Sequence, residues 1–148
     1  MTVIVRDIGP DDEATWRQLW AGYLAFYEQS VPDDVTSHTW SMLLDANSAY
    51  WGLVAEEETG VMGFAIHQDQ RSTWNTAPIV YLEDLFVADT ARGKGVGRTL
   101  MEAGMEHAKK GGSCKYYWQT DTGNVTARHL YDNMTGGIND RVIYELAL

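Results

Sequence analysis

Cysteine occurs once, at Cys114, so the chain has no internal disulfide and no cysteine-built zinc site. Long apolar runs are missing too. Nothing approaches the roughly 18–20 residues that a membrane span requires, which argues against a membrane partner. The opening Met-Thr-Val-Ile-Val-Arg-Asp lacks the basic-then-apolar pattern of a secretory signal, and a cytoplasmic location is the expectation. Histidines are few: His38, His67, His107 and His129. They show neither His-x-x-x-His nor His-Glu-x-x-His spacing, so no metal is expected. Basic residues are scarce in the first part of the chain. Residues 1–91 hold three (Arg6, Arg17, Arg71) against fifteen acids, whereas residues 92–148 hold eight against six. A net charge of −10 repels phosphate backbones and argues against general nucleic-acid binding.

What is present is an ordinary globular composition, 45% hydrophobic and 22% charged over 148 residues, which excludes disorder and low-complexity arrays. That length predicts one domain, residues 1–148, burying roughly 70% of the surface its unfolded chain exposes. The uneven charge has two readings. An acidic surface keeps a protein soluble. Alternatively, the C-terminal part handles an anion and the N-terminal part a cation.

Elements alternate along the chain. Residues 3–7 read as a strand. Pro10 opens a helix with Asp11, Asp12 and Glu13 in its first turn. Trp16, Trp20, Tyr23 and Tyr27 recur on one helical face, chiefly as core. Pro32 interrupts, and a second helix runs from Asp33/Asp34 to about Asp45. Residues 50–56 and 61–68 form a hairpin, residues 77–87 a longer strand. Residues 96–110 form a helix ended by Gly111-Gly112. Residues 114–120 read as a strand, with Cys114 as a small apolar strand residue. Residues 125–134 read as a short helix and 141–146 as a last strand. The pattern predicts an α/β or α+β fold with a mixed sheet.

The sharpest local signal is Arg92-Gly93-Lys94-Gly95-Val96-Gly97-Arg98, after a strand and at a helix start. Glycines free backbone N–H groups to turn toward a ligand, and the helix N-terminus adds positive potential. Arg92, Lys94 and Arg98 add mobile cations, which makes a diphosphate cradle. It is no Walker A loop, because Gly95 rather than Ser/Thr follows Lys94. It is no dinucleotide fingerprint, because the third glycine position holds Arg98.

The preceding strand, Ile79 to Val87, is apolar on both faces and so reads as central. Glu83 and Asp84 interrupt it, one on each face by strand alternation. They are either solvated acids near a sheet end or cleft carboxylates with a pKa raised enough to accept a proton. On the later helix, Asn124, Ala127, Arg128 and Tyr131 share one face. Ala127 permits close approach of a ligand. Tyr131 is either a packing residue or a phenol able to protonate a departing thiolate.

Together, Tyr81–Val87, Arg92-x-x-Gly95-x-Gly97 and Asn124-x-x-Ala127-x-x-Leu130-Tyr131 resemble the GNAT superfamily of acetyl-CoA-dependent N-acetyltransferases. Within it, Tyr81-Leu-Glu-Asp-Leu-Phe-Val87 and Tyr117-Trp-Gln-Thr-Asp121 are similar to the polyamine and histone acetyltransferase branch. The resemblance implies a mostly antiparallel central sheet flanked by helices, with a splayed strand pair forming the cofactor cleft. It implies acetyl-CoA as cofactor, its pyrophosphate on the backbone of Gly93, Lys94, Gly95, Val96, Gly97, Arg98 and Thr99, with Arg92 beside them. Leu85, Phe86 and Val87 would line the pantetheine arm, pairing with it through the backbone of Leu85 and Val87. Asn124, Ala127 and Arg128 would lie along the cofactor. Tyr131 matches the general acid, which also meets the cofactor, and Glu83 the base acting through water. Asp84, Tyr27 and Glu28 are the expected acceptor contacts. The implied partner is a small-molecule amine, with cationic polyamine-like amines suited to the acidic part. A protein lysine, an aminoglycoside or an amino acid is an alternative acceptor, and a non-catalytic CoA-binding module the alternative class. A homodimer built on the C-terminal strand is one assembly the resemblance allows. The chain departs from the family after Tyr131, where Asp-Asn-Met-Thr-Gly-Gly-Ile replaces x-x-x-Gly-Phe.

Overall fold

Two runs of β-prone residues joined by Glu58-Thr59 pair back on themselves, and the rest of the sheet grows from that hairpin. A computed structural model describes residues 2–148. The hairpin is β2 (Tyr50–Glu57) and β3 (Gly60–Gln70). β1 (Ile4–Asp7) lies outside β2, β4 (Ile79–Val87) outside β3, and β5 (Tyr116–Trp118) outside β4. Every neighbour is antiparallel except β4 and β5, which are parallel. The expected mixed, mostly antiparallel sheet is therefore present. Helices are α1 (Glu13–Phe26), entered through a 3-10 turn at Pro10–Asp12, α2 (Asp33–Leu44), α3 (Val96–Lys110) and α4 (Val125–Thr135). The described residues divide into two units, one up to Trp118 and one from Gln119 to Leu148. No described helix is long and apolar enough to cross a membrane.

Strand alternation sorts the core of the first unit into two halves. Phe64 and Ile66 of β3 point to one face, where Trp16, Leu19 and Trp20 of α1 and Trp40 and Leu43 of α2 cover them. Trp16 stacks on Trp20 with ring centroids 5.3 Å apart and meets Trp40 at 5.2 Å. The helical stripe read from the sequence is thus core at Trp16 and Trp20. It becomes progressively open at Tyr23 and Tyr27.

His67 points to the opposite face, toward α3. It is fully buried and shares a 2.8 Å hydrogen bond between Nε2 and the Tyr116 hydroxyl. Its ring stacks on Trp51 at 3.9 Å, and His107 of α3 lies on Trp51 at 4.1 Å. Gly104 of α3 is glycine for a packing reason: a Cβ there would stand 2.5 Å from His67 Nε2 and 2.7 Å from the Tyr116 hydroxyl.

Three expectations need correction. Residues 141–146 form no strand; from Gly137 onward the chain carries no regular structure, and Val142, Ile143, Tyr144 and Leu146 are exposed. A strand exists only where another backbone supplies its hydrogen bonds, and none does so here among the described residues. β5 is three residues long rather than the whole of 114–120. Cys114 accordingly lies before it, exposed, and is not a strand residue.

Candidate active site

β4 is paired along its whole length on one side and only part of it on the other. Toward β3 the ladder runs from Ile79–Gln70 to Val87–Gly63. Toward β5 it holds only Val80–Tyr116, Tyr81–Tyr117 and Leu82–Trp118. Past Leu82 no β5 residue pairs with β4, so the β5-side edge of β4 is open as far as Val87, where the splay is expected. Leu85, Phe86 and Val87 lie on this stretch, where an extended ligand can add itself as a strand.

The β3 ladder skips one residue. Ile66 stands opposite Asp84 and His67 opposite Leu82, so Glu83 is an extra residue in β4, a β-bulge. The bulge overturns the expectation that the two acids take opposite faces. Asp84 shares the face of Ile66 and Phe86 and accepts a hydrogen bond from the Tyr23 hydroxyl of α1. Glu83 accepts one from the Tyr50 hydroxyl, and Tyr50 packs against the same α1-side core. Both carboxyls therefore turn toward α1. Two like charges drawn together and partly removed from water resist ionisation. Burial pushes the Asp84 carboxyl up to about 6, with Tyr23 opposing the rise and Glu83 adding to it. Burial also raises Glu83, against the hydrogen bond from Tyr50.

Tyr23 and Tyr50 were not singled out as site residues by sequence reasoning. The usable signal was a hydroxyl where phenylalanine would serve packing alone, because a buried phenol needs an acceptor. Tyr23 sits among Trp20, Tyr27, Phe64 and Phe86, at centroid distances of 5.5, 5.1, 6.0 and 6.1 Å. Tyr27 caps the C-terminus of α1, and Glu28 follows in the left-handed region at φ 53°. That conformation is uncommon for a side-chain-bearing residue and holds the start of the α1–α2 loop in a fixed turn.

The glycine-rich loop follows Val87 and a 3-10 turn at Asp89–Ala91. Gly93 and Gly95 adopt φ of +76° and +80°, and a Cβ at either would meet nothing within 4 Å. Gly95 is the residue before α3, whose first turn holds no acid. The first amides of α3 therefore have no side-chain cap and add a positive dipole end beside the loop. Thr99 is exposed, and its hydroxyl donates back to the Gly95 carbonyl at 2.9 Å. The cations are less mobile than expected. Arg92 is tied to Asp89 at 2.8 Å and to the Val87 carbonyl at 3.1 Å, and lies over Phe26 and Phe86. Arg98 pairs with Glu102 at 2.8 Å. Lys94 is exposed. An anion held at this loop would meet chiefly backbone donors, a set that suits a diphosphate.

In the second unit, Asn124 precedes α4 and its amide donates to the Thr120 hydroxyl at 3.2 Å. The Arg128 guanidinium donates to the Thr122 carbonyl at 2.8 Å. Asn124, Ala127, Arg128 and Tyr131 are all half-buried, whereas Val125, Thr126, His129 and Asp132 are exposed. The face picked out by helical spacing is the shielded one.

An open-edged strand that ends in a glycine turn and a helix start can hold an extended phosphorylated ligand. Comparison with known proteins agrees. Residues 13–136 match the Acetyltransferase (GNAT) family. The chain is 35% identical over 145 residues to the D-amino-acid N-acetyltransferase HPA3 of Saccharomyces cerevisiae, covering 97% of this chain and 89% of that protein. It is 30% identical over 128 residues to the N-acetyltransferase YhfO of Bacillus subtilis, covering 86% and 85%. Its fold is similar to that of the aminoglycoside acetyltransferase AAC(6')-Iy, solved with a bisubstrate analogue of CoA. The TM-score is 0.86 at 20% identity over 100% of this chain and 99% of that one. A soil-metagenome aminoglycoside acetyltransferase gives a TM-score of 0.82 at 21% identity over 99% and 96%. The chain belongs to the GNAT family and is an acetyl-CoA-dependent N-acetyltransferase. The non-catalytic alternative is thereby set aside.

Proposed function

We propose that the acceptor is the primary amine of a small cationic molecule. The observation that supports this most directly is the carboxylate pair Glu83 and Asp84 on one face of β4, in a part of the chain with three basic residues against fifteen acids. An ammonium ion is drawn to such a site and can lose its proton there. Acetyl-CoA supplies the thioester carbonyl that the freed amine attacks. The amides from Gly93 to Thr99 would hold its pyrophosphate, and the edge of β4 from Leu85 to Val87 its pantetheine arm. Asn124, Ala127 and Arg128 are proposed to lie along it, and Tyr131 to return a proton to sulfur, on the motif they share with the family. Tyr27 and Glu28 would meet the acceptor from the α1–α2 loop.

A second reading is acetylation of the α-amino group of a D-amino acid. The yeast relative, named as a D-amino-acid N-acetyltransferase, favours it. The two separate in one assay, thiol release from acetyl-CoA with diamines, polyamines, aminoglycosides and D-amino acids. The cationic reading expects turnover with the polycations and a KM that rises with salt, because exposed charges are screened. Turnover confined to D-amino acids would replace it.

A further inference from the structure

We propose that Asp84, held in place by Tyr23, takes the proton from the incoming ammonium group, and that Glu83 on the bulge is the ion this group meets first. The assignment rests on the amine-acetylation reading above. It moves the proton acceptor one residue along from the position that family resemblance indicates.

The bulge is what makes the division available. Without it only one of two consecutive strand residues could serve a given face. With it, Glu83 lies exposed and Asp84 half-buried on the same side. The outer carboxylate accepts from Tyr50 but keeps more of its hydration than the inner one, and it attracts a cation from solvent. The inner one is fixed, because its donor, Tyr23, is wedged among four aromatic rings. A proton acceptor works best when its position is set in advance.

The groups around Asp84 agree with this role. α1 presents Tyr23, with Tyr27 against it. β2 presents Tyr50, which is engaged by Glu83. β3 presents Ile66 and Phe64, neither of which titrates. β4 itself adds Glu83, Phe86 and Tyr81, whose phenol is held protonated by burial and by the two carboxylates. The cation over Phe86, Arg92, is paired with Asp89. Asp84 therefore has a hydroxyl donor and a neighbouring anion, and burial raises its proton affinity above that of an ordinary aspartate.

The step balances. R–NH3+ gives one proton to the Asp84 carboxylate and becomes R–NH2. The nitrogen lone pair forms the C–N bond to the acetyl carbon as the C–S bond breaks. The second nitrogen proton ends on sulfur, directly or through the general acid, giving CoA thiol and the acetamide. Asp84 then releases its proton to water.

Tyr23→Phe tests the assignment, because it keeps the ring packing and removes only the hydroxyl. The Tyr23 hydrogen bond favours the ionised carboxylate, so its loss raises the Asp84 pKa. The acid limb of kcat/KM for the amine should move up by about one pH unit, with KM for acetyl-CoA unchanged. Tyr50→Phe should leave that limb where it is. Carboxyl NMR titration of Asp84 should show the same shift without any turnover. Asp84→Asn, nearly isosteric, should abolish the limb. A limb that ignores Tyr23→Phe and follows Tyr50→Phe, or survives in Asp84→Asn, overturns the assignment alone. A wild-type enzyme that acetylates no amine overturns the reading above, and this assignment with it.

Discussion

Acidification should weaken this protein through one buried side chain, His67. Its imidazole is fully buried, its Nε2 is engaged by Tyr116 and its Nδ1 has no hydrogen-bond partner. A charge there would lose its hydration and gain no anion. Burial first, and the nearby His107 second, push its pKa down from 6.5 to about 3. The sign follows from proton counts. Between those two values the unfolded chain binds a proton that the folded chain refuses. The stability His67 contributes is therefore complete above pH 6.5 and lost progressively as pH falls toward 3. One pKa unit is worth about 1.4 kcal/mol, so moving from pH 7.5 to pH 5 removes about 2 kcal/mol. The wild-type curve alone hides this. The raised Asp84 binds its proton more readily folded than unfolded, and so stabilises the protein on acidification by about 1 kcal/mol, discounted for its partial exposure. The difference between wild type and His67→Gln cancels Asp84 and the other histidines. Urea unfolding followed by tryptophan fluorescence at pH 7.5 and pH 5 would measure it. The stability of wild type relative to the variant should fall by about 2 kcal/mol between the two. A difference that is constant with pH would refute the reasoning, and would mean that His67 gains a partner or water when protonated.

Gly104→Ala should destabilise the fold by about 1–3 kcal/mol in the same urea assay, because the new methyl group meets His67 Nε2 and the Tyr116 hydroxyl. An unchanged midpoint would mean that α3 can move off the sheet. Gly95→Val should lose acetyl-CoA binding in calorimetry while remaining folded. The left-handed φ of +80° is a conformation that a β-branched residue disfavours, so the loop must turn its amides elsewhere. Undiminished affinity would remove the backbone cradle. Tyr131→Phe should lower kcat by about 10²–10⁴-fold with acetyl-CoA affinity nearly intact, if proton return to sulfur limits the rate. Full activity would leave Tyr131 a packing residue.

Local chemistry made much of the fold legible. The bounds of α3 were readable because Gly95 and Gly111-Gly112 bracket a clean apolar stripe. The β2–β3 hairpin was readable from alternation and from its polar turn. Failures lie where a partner decides. Val142-Ile143-Tyr144 has strand composition, but composition supplies no neighbouring backbone. The Arg92 and Arg98 side chains were expected to be free cations. Their neighbours Asp89 and Glu102, three and four residues on or back, tie them down. That pairing is written in the i,i+3 and i,i+4 spacing of the charges.

The carboxylate pair shows why a site is harder to read than its residues. Glu83 and Asp84 stand out in any reading, since acids are costly in an apolar central strand. Their faces cannot be read from β4 alone. Alternation assigns them opposite sides, and only the pairing of Ile66 with Asp84 and His67 with Leu82 shows that one residue is skipped. The skip is a property of two strands in register, set in part by what each must bury. On β3, Ile66 must face the α1 tryptophans and His67 must face α3. On β4, Leu82 goes with His67 and Asp84 with Ile66, which leaves Glu83 as the extra residue. The core on the two faces of the sheet thus fixes where the bulge falls, and the bulge fixes that two carboxylates share one side. Removing the bulge by deleting Glu83 would therefore do more than remove one acid. It would leave Asp84 and Phe86 in register with α1 and give the outer part of the site no carboxylate, whereas Glu83→Gln keeps the bulge and removes only the charge. If Glu83 serves mainly to draw in a cation, the deletion and the substitution should raise the amine KM alike at low salt and converge with wild type at high salt. A substitution that instead lowers kcat at every salt concentration would return the proton to Glu83.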